Sequence, residues 1–410
     1  MRFPQPAATL AVTLLLPSAG RAEWPQWGGP ARDFRVATEV APRWPEKGPA
    51  VRWQRPLDDG YSGVAVADGL LVTMGRRGDS EVVIAASLES GETLWTHEYP
   101  APLPGWMRTN HGVGPRSTPL LAGGRVFTVG IMGTMFCLDR AGGAVLWRRD
   151  LVTGLGGTRN DRGYASSPLS FGDTVIVPVG GDGQALVAFR QSDGEVAWKS
   201  GDFDRGLSSP MLVRLGGRTQ VVALLNAFVA GFDPASGREL WKHPHGGRGE
   251  RNVSVPVFDG TDGLLFVSSA YGGGSRVVRL VADGEAVRVE ELWADEQVRV
   301  MFTNALRIGD HVYASSGDFG PVPLTALDVK TGAVAWRDRT FARLSMVQVG
   351  ERVLVLDETG ALGLVSLSPK GLEVHARVQL REDRAWTPPS VVGRRAYVRT
   401  RTELIALELP

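Results

Sequence analysis

The sequence is poor in the residues that build many common functional sites. Its 410 residues include one cysteine, Cys137, and six histidines. A single cysteine excludes an internal disulfide, a cysteine-based zinc site and a CxxC redox pair. The formal net charge is only +1, which argues against a broad nucleic-acid-binding surface. We therefore predict that nucleic acid is not a partner of this protein.

Long hydrophobic runs are also scarce. The prominent apolar run covers residues 7–16, after Arg2 and before Pro17. About ten residues are too few to span a bilayer, and the pattern is typical of a secretory signal peptide cleaved after Ala22. We expect an exported protein, periplasmic or extracellular, that loses residues 1–22 and has no membrane span. Because no cysteine follows the run, we expect no lipid anchor.

The common catalytic motifs are missing too. The sequence has no Gly-x-Ser-x-Gly elbow, phosphate-binding P-loop or His-Glu-x-x-His motif, so it does not support a serine hydrolase, a nucleotide hydrolase or a zincin. Residues 243–245, His-Pro-His, could form half of a metal site, with His111 as a further loop histidine. Zinc and copper need three or more converging ligands, and we predict no metal site. The glycine-rich residues 271–276 are interpreted as a turn.

What the sequence has in abundance is a repeat. Its 52 glycines include the first residue of a recurring Gly-x-x-x-Trp motif, at Gly91–Trp95, Gly143–Trp147, Gly194–Trp198, Gly237–Trp241 and Gly332–Trp336. Each unit opens with serine or threonine, often followed by proline, and continues as short apolar or alternating runs typical of strands. A repeat of about 46 residues with four short strands is typical of one blade of a β-propeller.

Counting the unit openings predicts an all-β, eight-bladed propeller of four-stranded antiparallel blades over residues 50–410. The last unit lacks its tryptophan strand, whereas a spare strand of that kind lies at residues 51–53. We predict that residues near 50–54 pair with residues near 403–409, which closes the ring and covers two sheet edges. Residues 23–49 are rich in proline and are expected to form an extended arm that packs on the propeller.

The unit Ala-Leu-Asp-Val-Lys-Thr-Gly-Ala-Val-Ala-Trp at residues 326–336 resembles the repeat of the pyrroloquinoline-quinone (PQQ) type propellers. That superfamily includes the quinoprotein dehydrogenases and a periplasmic outer-membrane-assembly lipoprotein. Residues 24–30, Trp-Pro-Gln-Trp-Gly-Gly-Pro, also resemble the start of many exported proteins with this propeller. The resemblance implies that seven repeat tryptophans dock neighbouring blades: Trp53, Trp95, Trp147, Trp198, Trp241, Trp293 and Trp336.

Propeller geometry indicates where a site would lie. With strands A to D numbered from the centre outward, the long D–A loops and the B–C loops share one face, and long loops on a rigid scaffold often carry function. Arginine, asparagine and aromatic residues there could bind an anionic planar ligand by paired hydrogen bonds and stacking, although solvated loop charges are the alternative. The candidates are Trp106, Arg108, Asn110, His111, Arg116, Arg159, Asn160, Tyr164, Arg251, Asn252, Arg299, Asn304, Asp318, Arg384 and Trp386.

Three functions remain open at this point. The favoured one is a non-catalytic binding or scaffold module, without a cofactor, for a protein or cell-envelope ligand. The first alternative is a PQQ-dependent alcohol or sugar dehydrogenase; the resemblance implies calcium ligands, an arginine near the quinone and an aromatic stacking floor, for which Asn304, Asp318, Arg116 and Trp386 are suitable types. A single cysteine cannot form the ring of two adjacent cysteines found in many such enzymes. The blades here are also short and lack large insertions. The second alternative is a sensor or carrier of a small ligand at the channel mouth.

Overall fold

Short strands of alternating or continuous apolar residues build the regular structure. The computed structural model describes residues 23–246, 252–320 and 322–410, and these residues form 33 strands and no helix. Within them, no helix is long and apolar enough to cross a membrane. The expected signal peptide, residues 1–22, lies outside the described residues.

Eight antiparallel sheets form the blades of a β-propeller, as predicted. Strand β1 (Arg35–Val36) and strand β2 (Ala50–Pro56) precede the first complete blade. The first four blades, in chain order and with strands A to D in each, are β3 (Ala65–Ala67), β4 (Leu70–Arg77), β5 (Ser80–Ser87), β6 (Thr93–Pro100); β7 (Leu120–Ala122), β8 (Arg125–Val129), β9 (Thr134–Asp139), β10 (Val145–Asp150); β11 (Leu169–Phe171), β12 (Thr174–Pro178), β13 (Leu186–Arg190), β14 (Val196–Ser200); β15 (Met211–Leu215), β16 (Arg218–Leu224), β17 (Phe228–Phe232), β18 (Glu239–Pro244).

The second half of the ring repeats this arrangement. Blades 5 to 8 are β19 (Val257–Phe258), β20 (Leu264–Ser269), β21 (Gly274–Asp283), β22 (Ala286–Asp295); β23 (Leu306–Ile308), β24 (His311–Ser315), β25 (Leu324–Asp328), β26 (Val334–Asp338); β27 (Leu344–Val349), β28 (Arg352–Asp357), β29 (Ala361–Ser368), β30 (Gly371–Gln379); and β31 (Ser390–Val392), β32 (Arg395–Arg399), β33 (Glu403–Glu408).

Blade 8 takes its outer strand from the beginning of the chain. Strand β2 pairs antiparallel with β33, and Val51 lies opposite Leu407 while Trp53 lies opposite Ala406. The predicted ring closure is therefore confirmed. Because β33 would otherwise expose a row of unpaired main-chain groups, this pairing removes a sheet edge that could join other chains.

The serine and threonine residues that open each repeat connect the inner strands of successive blades. The Gly63 main-chain N–H donates to Thr118 Oγ1 at 2.9 Å. The Thr118 N–H in turn donates to Ser167 Oγ, and the Ser167 N–H donates to Ser209 Oγ, both at 2.9 Å. Each hydroxyl thus satisfies a buried main-chain donor of the preceding blade, which explains why this residue type recurs there.

The repeat tryptophans lie between blades. Six of the seven donate their indole N–H to a main-chain carbonyl of the next blade, at 2.8 to 3.2 Å. Trp241 differs, since its indole N–H donates to Gln220 Oε1 of its own blade at 2.7 Å. The next blade there has a hairpin of two ten-residue strands, β21 and β22.

The first part of the arm does not lie on the outer surface of the propeller. Trp24 forms a bridge with Val66 in blade 1, Arg32 Nη1 donates to Pro168 O in blade 3 at 2.7 Å, and β1 pairs parallel with β27 in blade 7. Residues 24–36 therefore touch inner strands from several sides of the ring and fill the central channel. We call this segment the plug.

The plug is anchored by buried side chains. Trp24, Arg32 and Phe34 are each at most 3% exposed. Gly28 and Gly29 have φ values of 74° and 82°, a left-handed conformation that glycine adopts readily and that turns the chain inside the channel. The sequence predicted that this segment packs on the propeller, but it gave no indication that it enters the ring.

Candidate functional site

The channel opens on the face of the D–A and B–C loops into a cavity of about 150 Å³. The plug fills the channel behind it, and Trp27 of the plug contributes to the cavity wall. We call this space the mouth cavity. Its aromatic, cationic and amide-bearing residues are Trp27, Tyr61, His111, Arg116, Arg162, Tyr271, Phe302, Asn304 and Trp386.

An aromatic cluster forms one wall of the mouth cavity. The ring of Trp386 lies 4.9 Å from that of Tyr61 and 4.7 Å from that of Phe302, measured between centroids. The His111 ring lies 5.8 Å from the Trp386 ring. The guanidinium of Arg384 lies 4.7 Å from the Trp386 ring centre, within the range of a cation–π contact. Loops that enter blades 1, 2, 6 and 8 thus converge on one apolar surface.

Arginine side chains add positive charge to the mouth cavity. Arg116 donates to the main-chain oxygens of Arg162 and of Gly112, the latter at 3.1 Å, and Arg162 donates to Asn110 Oδ1. Burial and the neighbouring Arg162 charge lower the pKa of Arg116 to about 10, so it is still protonated at neutral pH. Burial and the surrounding arginines lower the pKa of His111, which is therefore neutral at pH 7. Among the described residues that line the cavity there is no carboxylate.

Two predicted asparagines already have structural partners. The Asn304 amide nitrogen donates to Met346 O at 2.7 Å, and its oxygen accepts from the Met346 N–H at 2.9 Å. Asn252 is fully buried, and its amide nitrogen donates to Asn226 O at 2.8 Å. Both amides connect one blade with its neighbour, and each polar atom of the Asn304 amide already makes one hydrogen bond to the main chain of Met346.

Four further candidates gather beside the mouth cavity. They line a second depression of about 300 Å³ and are Trp106, Arg159, Asn160 and Tyr164. The guanidinium of Arg205 lies 3.7 Å from the Tyr164 ring centre. Trp106 is 47% exposed, so an aromatic ring on the rim of this face is open to solvent.

The remaining candidates form local ion pairs or lie outside the described part. Arg108 Nε lies 2.9 Å from Asp161 Oδ2, and Arg299 Nε lies 3.4 Å from Asp318 Oδ2. Such pairs at a surface contribute little to stability. Arg251 falls within residues 247–251, which are outside the described residues.

The predicted set omitted several residues of the mouth cavity, namely Trp27, Tyr61, Arg162, Tyr271 and Phe302. Tyr271 has a φ of 55°, an uncommon conformation for a bulky residue that is often found at functional sites. Its main-chain N–H donates to Asp318 Oδ1 at 3.1 Å. The only sequence signal was the glycine-rich turn that follows Tyr271, which by itself indicates flexibility.

His245 belongs to a buried network instead of a metal site. Arg276 Nε donates to His245 Nδ1 at 3.0 Å, so the ring proton lies on Nε2, which donates to Ser269 Oγ at 2.7 Å. Ser269 Oγ donates onward to Asn252 Oδ1. With its proton on Nε2, His245 cannot accept the Ser269 proton, so this pair is not an activated nucleophile. The described residues hold no group of three or more histidine, cysteine and carboxylate residues that could bind a metal ion.

Stability should depend on pH through His245. Burial and the Arg276 charge lower the pKa of His245 from 6.5 to about 3. Between these values the unfolded chain binds the proton and the folded chain does not, so stability falls as the pH drops through this window. We expect wild type to lose about 2 kcal/mol between pH 7 and pH 5 relative to His245→Gln. Urea unfolding at both pH values measures this, and parallel losses in the two proteins would contradict it.

The family described as outer membrane protein assembly factor BamB matches residues 78–338. The chain belongs to this family. No curated protein matches the chain. The matched residues run from blade 1 to the last strand of blade 6, so the BamB-family repeat accounts for most of the ring.

Solved structures share the fold of this BamB-family chain at low sequence identity. BamB from Moraxella catarrhalis is 20% identical with a TM-score of 0.61, covering 88% of this chain and 97% of that one. The quinohemoprotein alcohol dehydrogenase from Comamonas testosteroni is 13% identical with a TM-score of 0.68, covering 95% and 80%. The computationally designed Ika8 protein is 12% identical with a TM-score of 0.57, covering 86% and 97%. One fold thus accompanies different functions.

The residues of the BamB-family mouth cavity do not fit a calcium–PQQ site. Calcium takes six to eight oxygen ligands, mostly carboxylates and carbonyls, but none of the described residues that line the cavity is a carboxylate, and the Asn304 amide oxygen already accepts from the Met346 N–H. Asp318 accepts from Tyr271 and pairs with Arg299. The cavity is also smaller than the roughly 300–1,000 Å³ typical of sites for larger ligands.

Proposed function

We propose that this chain is an exported, non-catalytic binding module whose recognition surface is the face around the channel mouth. Its partner would be a protein or a polymer of the cell envelope. The family description, an outer membrane protein assembly factor, supports a protein partner in envelope assembly. The observation that carries the proposal is the composition of the mouth, which combines aromatic and arginine residues with no carboxylate among the described lining residues.

Solvent-exposed aromatic rings on this face also support recognition of a partner. Trp106 is 47% exposed on the D–A loop between blades 1 and 2, and Phe319 is 73% exposed on the B–C loop of blade 6. Exposed tryptophan and phenylalanine are typical anchors of protein interfaces. Their position on the loop face agrees with a binding surface there.

The non-catalytic part can be tested with PQQ and calcium. We would titrate both into the purified protein, follow quinone absorbance and heat, and then add a dye acceptor with alcohols and sugars. The proposal expects no stoichiometric binding at tens of micromolar and no dye reduction that depends on substrate. Stoichiometric binding with turnover would establish a quinoprotein dehydrogenase and overturn the proposal.

The recognition part can be tested with rim variants. Envelope extracts would be passed over immobilised wild type, the Trp106→Ala/Phe319→Ala double variant and Leu94→Ala. Leu94 is also exposed, at 58%, but it lies on outer strand β6 away from the mouth. We expect a partner retained by wild type and by Leu94→Ala but lost by the double variant. Equal retention by all three would contradict recognition at this face.

A small-ligand sensor or carrier is the second candidate. The observation in its favour is the mouth cavity itself, which is bounded by the plug and could hold a small molecule without turning it over.

A further inference from the structure

Arg116 brings positive charge to the mouth cavity, and no carboxylate of the described residues is in hydrogen-bond contact with it. The hydrogen bonds of Arg116 go to two main-chain oxygens. The buried Glu81 carboxyl, which bonds to Tyr99 Oη and the Ile131 N–H, acts on Arg116 only at a distance. Arg343 contacts the Phe302 ring from outside the cavity lining, and the nearby Glu358 and Asp318 carboxylates favour its charge. A half-buried cation without a counter-ion in contact is costly, which favours an anion beside Arg116.

Arg399, another buried arginine, makes more hydrogen bonds within the protein than Arg116 does. Arg399 is 1% exposed, yet its guanidinium donates to oxygens of Ser62, Thr73, Met74 and Asp58. These bonds engage both Nη groups inside the protein, and only its buried Nε has no partner. Arg116 makes half as many and borders an open cavity, so its remaining donors are available to a ligand.

The volume and the aromatic walls of the cavity limit the size and shape of an anionic ligand that could bind there. An apolar cavity of about 150 Å³ holds benzene in another protein, and the mouth cavity has about the same volume. Tyr61, Phe302 and Trp386 offer ring faces and edges to which another aromatic ring can pack. A single six-membered ring therefore fits, whereas a fused three-ring system does not.

The arginines at the cavity determine which charged group a ligand would carry. Arg116 and Arg162 line the same cavity and are connected through the Arg162 carbonyl. A planar carboxylate matches the fork of a guanidinium, and one negative charge costs less to desolvate than two. We infer that the mouth cavity binds a single-ring aromatic monocarboxylate, with its ring against Tyr61, Phe302 and Trp386 and its carboxylate on Arg116. The inference rests on the proposed binding role of this face.

Calorimetric titration of the full chain tests the inference with benzoate as the probe. Benzamide, the neutral isostere, reports the contribution of the charge, and cyclohexanecarboxylate reports that of the ring. Because Trp27 and Trp386 line the cavity, tryptophan fluorescence provides a second readout. We expect saturable benzoate binding with a dissociation constant below about 1 mM and at least tenfold weaker binding of both analogues.

Two arginine variants test whether benzoate binds at Arg116. Arg116→Gln should weaken benzoate binding at least tenfold, whereas Arg108→Gln, which removes an arginine of the same face that pairs with Asp161, should leave it within twofold. If Arg116→Gln does not fold, the comparison of benzoate with benzamide in wild type still decides the question.

Four results would overturn the inference: no saturable binding up to about 10 mM, equal affinity for benzamide, equal affinity for cyclohexanecarboxylate, or tighter binding of phenylphosphate. None of them affects the proposed function, which fails separately if PQQ supports turnover.

Discussion

Replacing Trp147 by alanine is expected to lower the free energy of unfolding by about 3–5 kcal/mol. The indole is 6% exposed and donates to Gln191 O of the next blade at 3.0 Å. It packs so closely on Gly194 that a Cβ there would lie 2.6 Å from the ring. The substitution would therefore leave a cavity between two blades and an unpaired carbonyl. Urea unfolding followed by circular dichroism measures the loss.

Leu146 is the matched control for Trp147. It precedes Trp147 on β10 but points outward and is 48% exposed, so Leu146→Ala should change stability by less than about 0.5 kcal/mol. Equal losses for the two variants would show that Trp147 does not dock the blades. A loss at Trp147 alone supports the same role for the other five tryptophans that donate to the next blade.

The second large effect is expected at the seam between blades 8 and 1. Arg399 Nη1 donates to Ser62 O at 2.9 Å and to Met74 O at 2.6 Å, which connects the last blade to the first. Burial lowers the pKa of Arg399 to about 9, so it is still charged at pH 7. Arg399→Met removes the guanidinium donors to Met74 O and Asp58 O, while Ser62 O still accepts from Thr73 Oγ1. The variant should cost about 3 kcal/mol, because removing the desolvated cation also removes its burial penalty. The urea midpoint measures this.

Arg401 provides the comparison for Arg399. It lies two residues later and pairs with Asp59 across the same seam, but it is exposed to solvent. Arg401→Met should therefore cost no more than about 1 kcal/mol. If Arg401→Met is as costly as Arg399→Met, the stability of the seam comes from the surface ion pair, and our interpretation of the buried arginine is wrong.

The propeller ring could be predicted from the sequence because each blade is encoded by a short motif that recurs along the chain. Each Gly-x-x-x-Trp unit indicates one outer strand, and the unit without such a strand predicted the pairing that the structure shows between Val51 and Leu407. The repeat also indicated the strand register. A slip of one residue would turn the apolar side chains of a strand from the buried face to solvent.

The mouth cavity could be predicted only in part because side-chain partners depend on packing. The sequence placed Arg116, His111, Asn304 and Trp386 on the loop face, and all four line the cavity. It could not show that the Asn304 amide bonds to the main chain of Met346. Trp27 was missed because the plug has no repeat, and its path is set by contacts with distant inner strands.

The pairing of β2 with β33 also affects how the protein folds. Seven blades are local units that can form one after another as the chain is synthesised. Strand β2 emerges about 350 residues before its partner and must remain unpaired until the end of synthesis. During that time it has a free edge that wrong strands could occupy. Because already stacked blades bring the two ends together, the entropic cost of closing so long a loop is reduced. We therefore expect the completion of blade 8 to come last in folding.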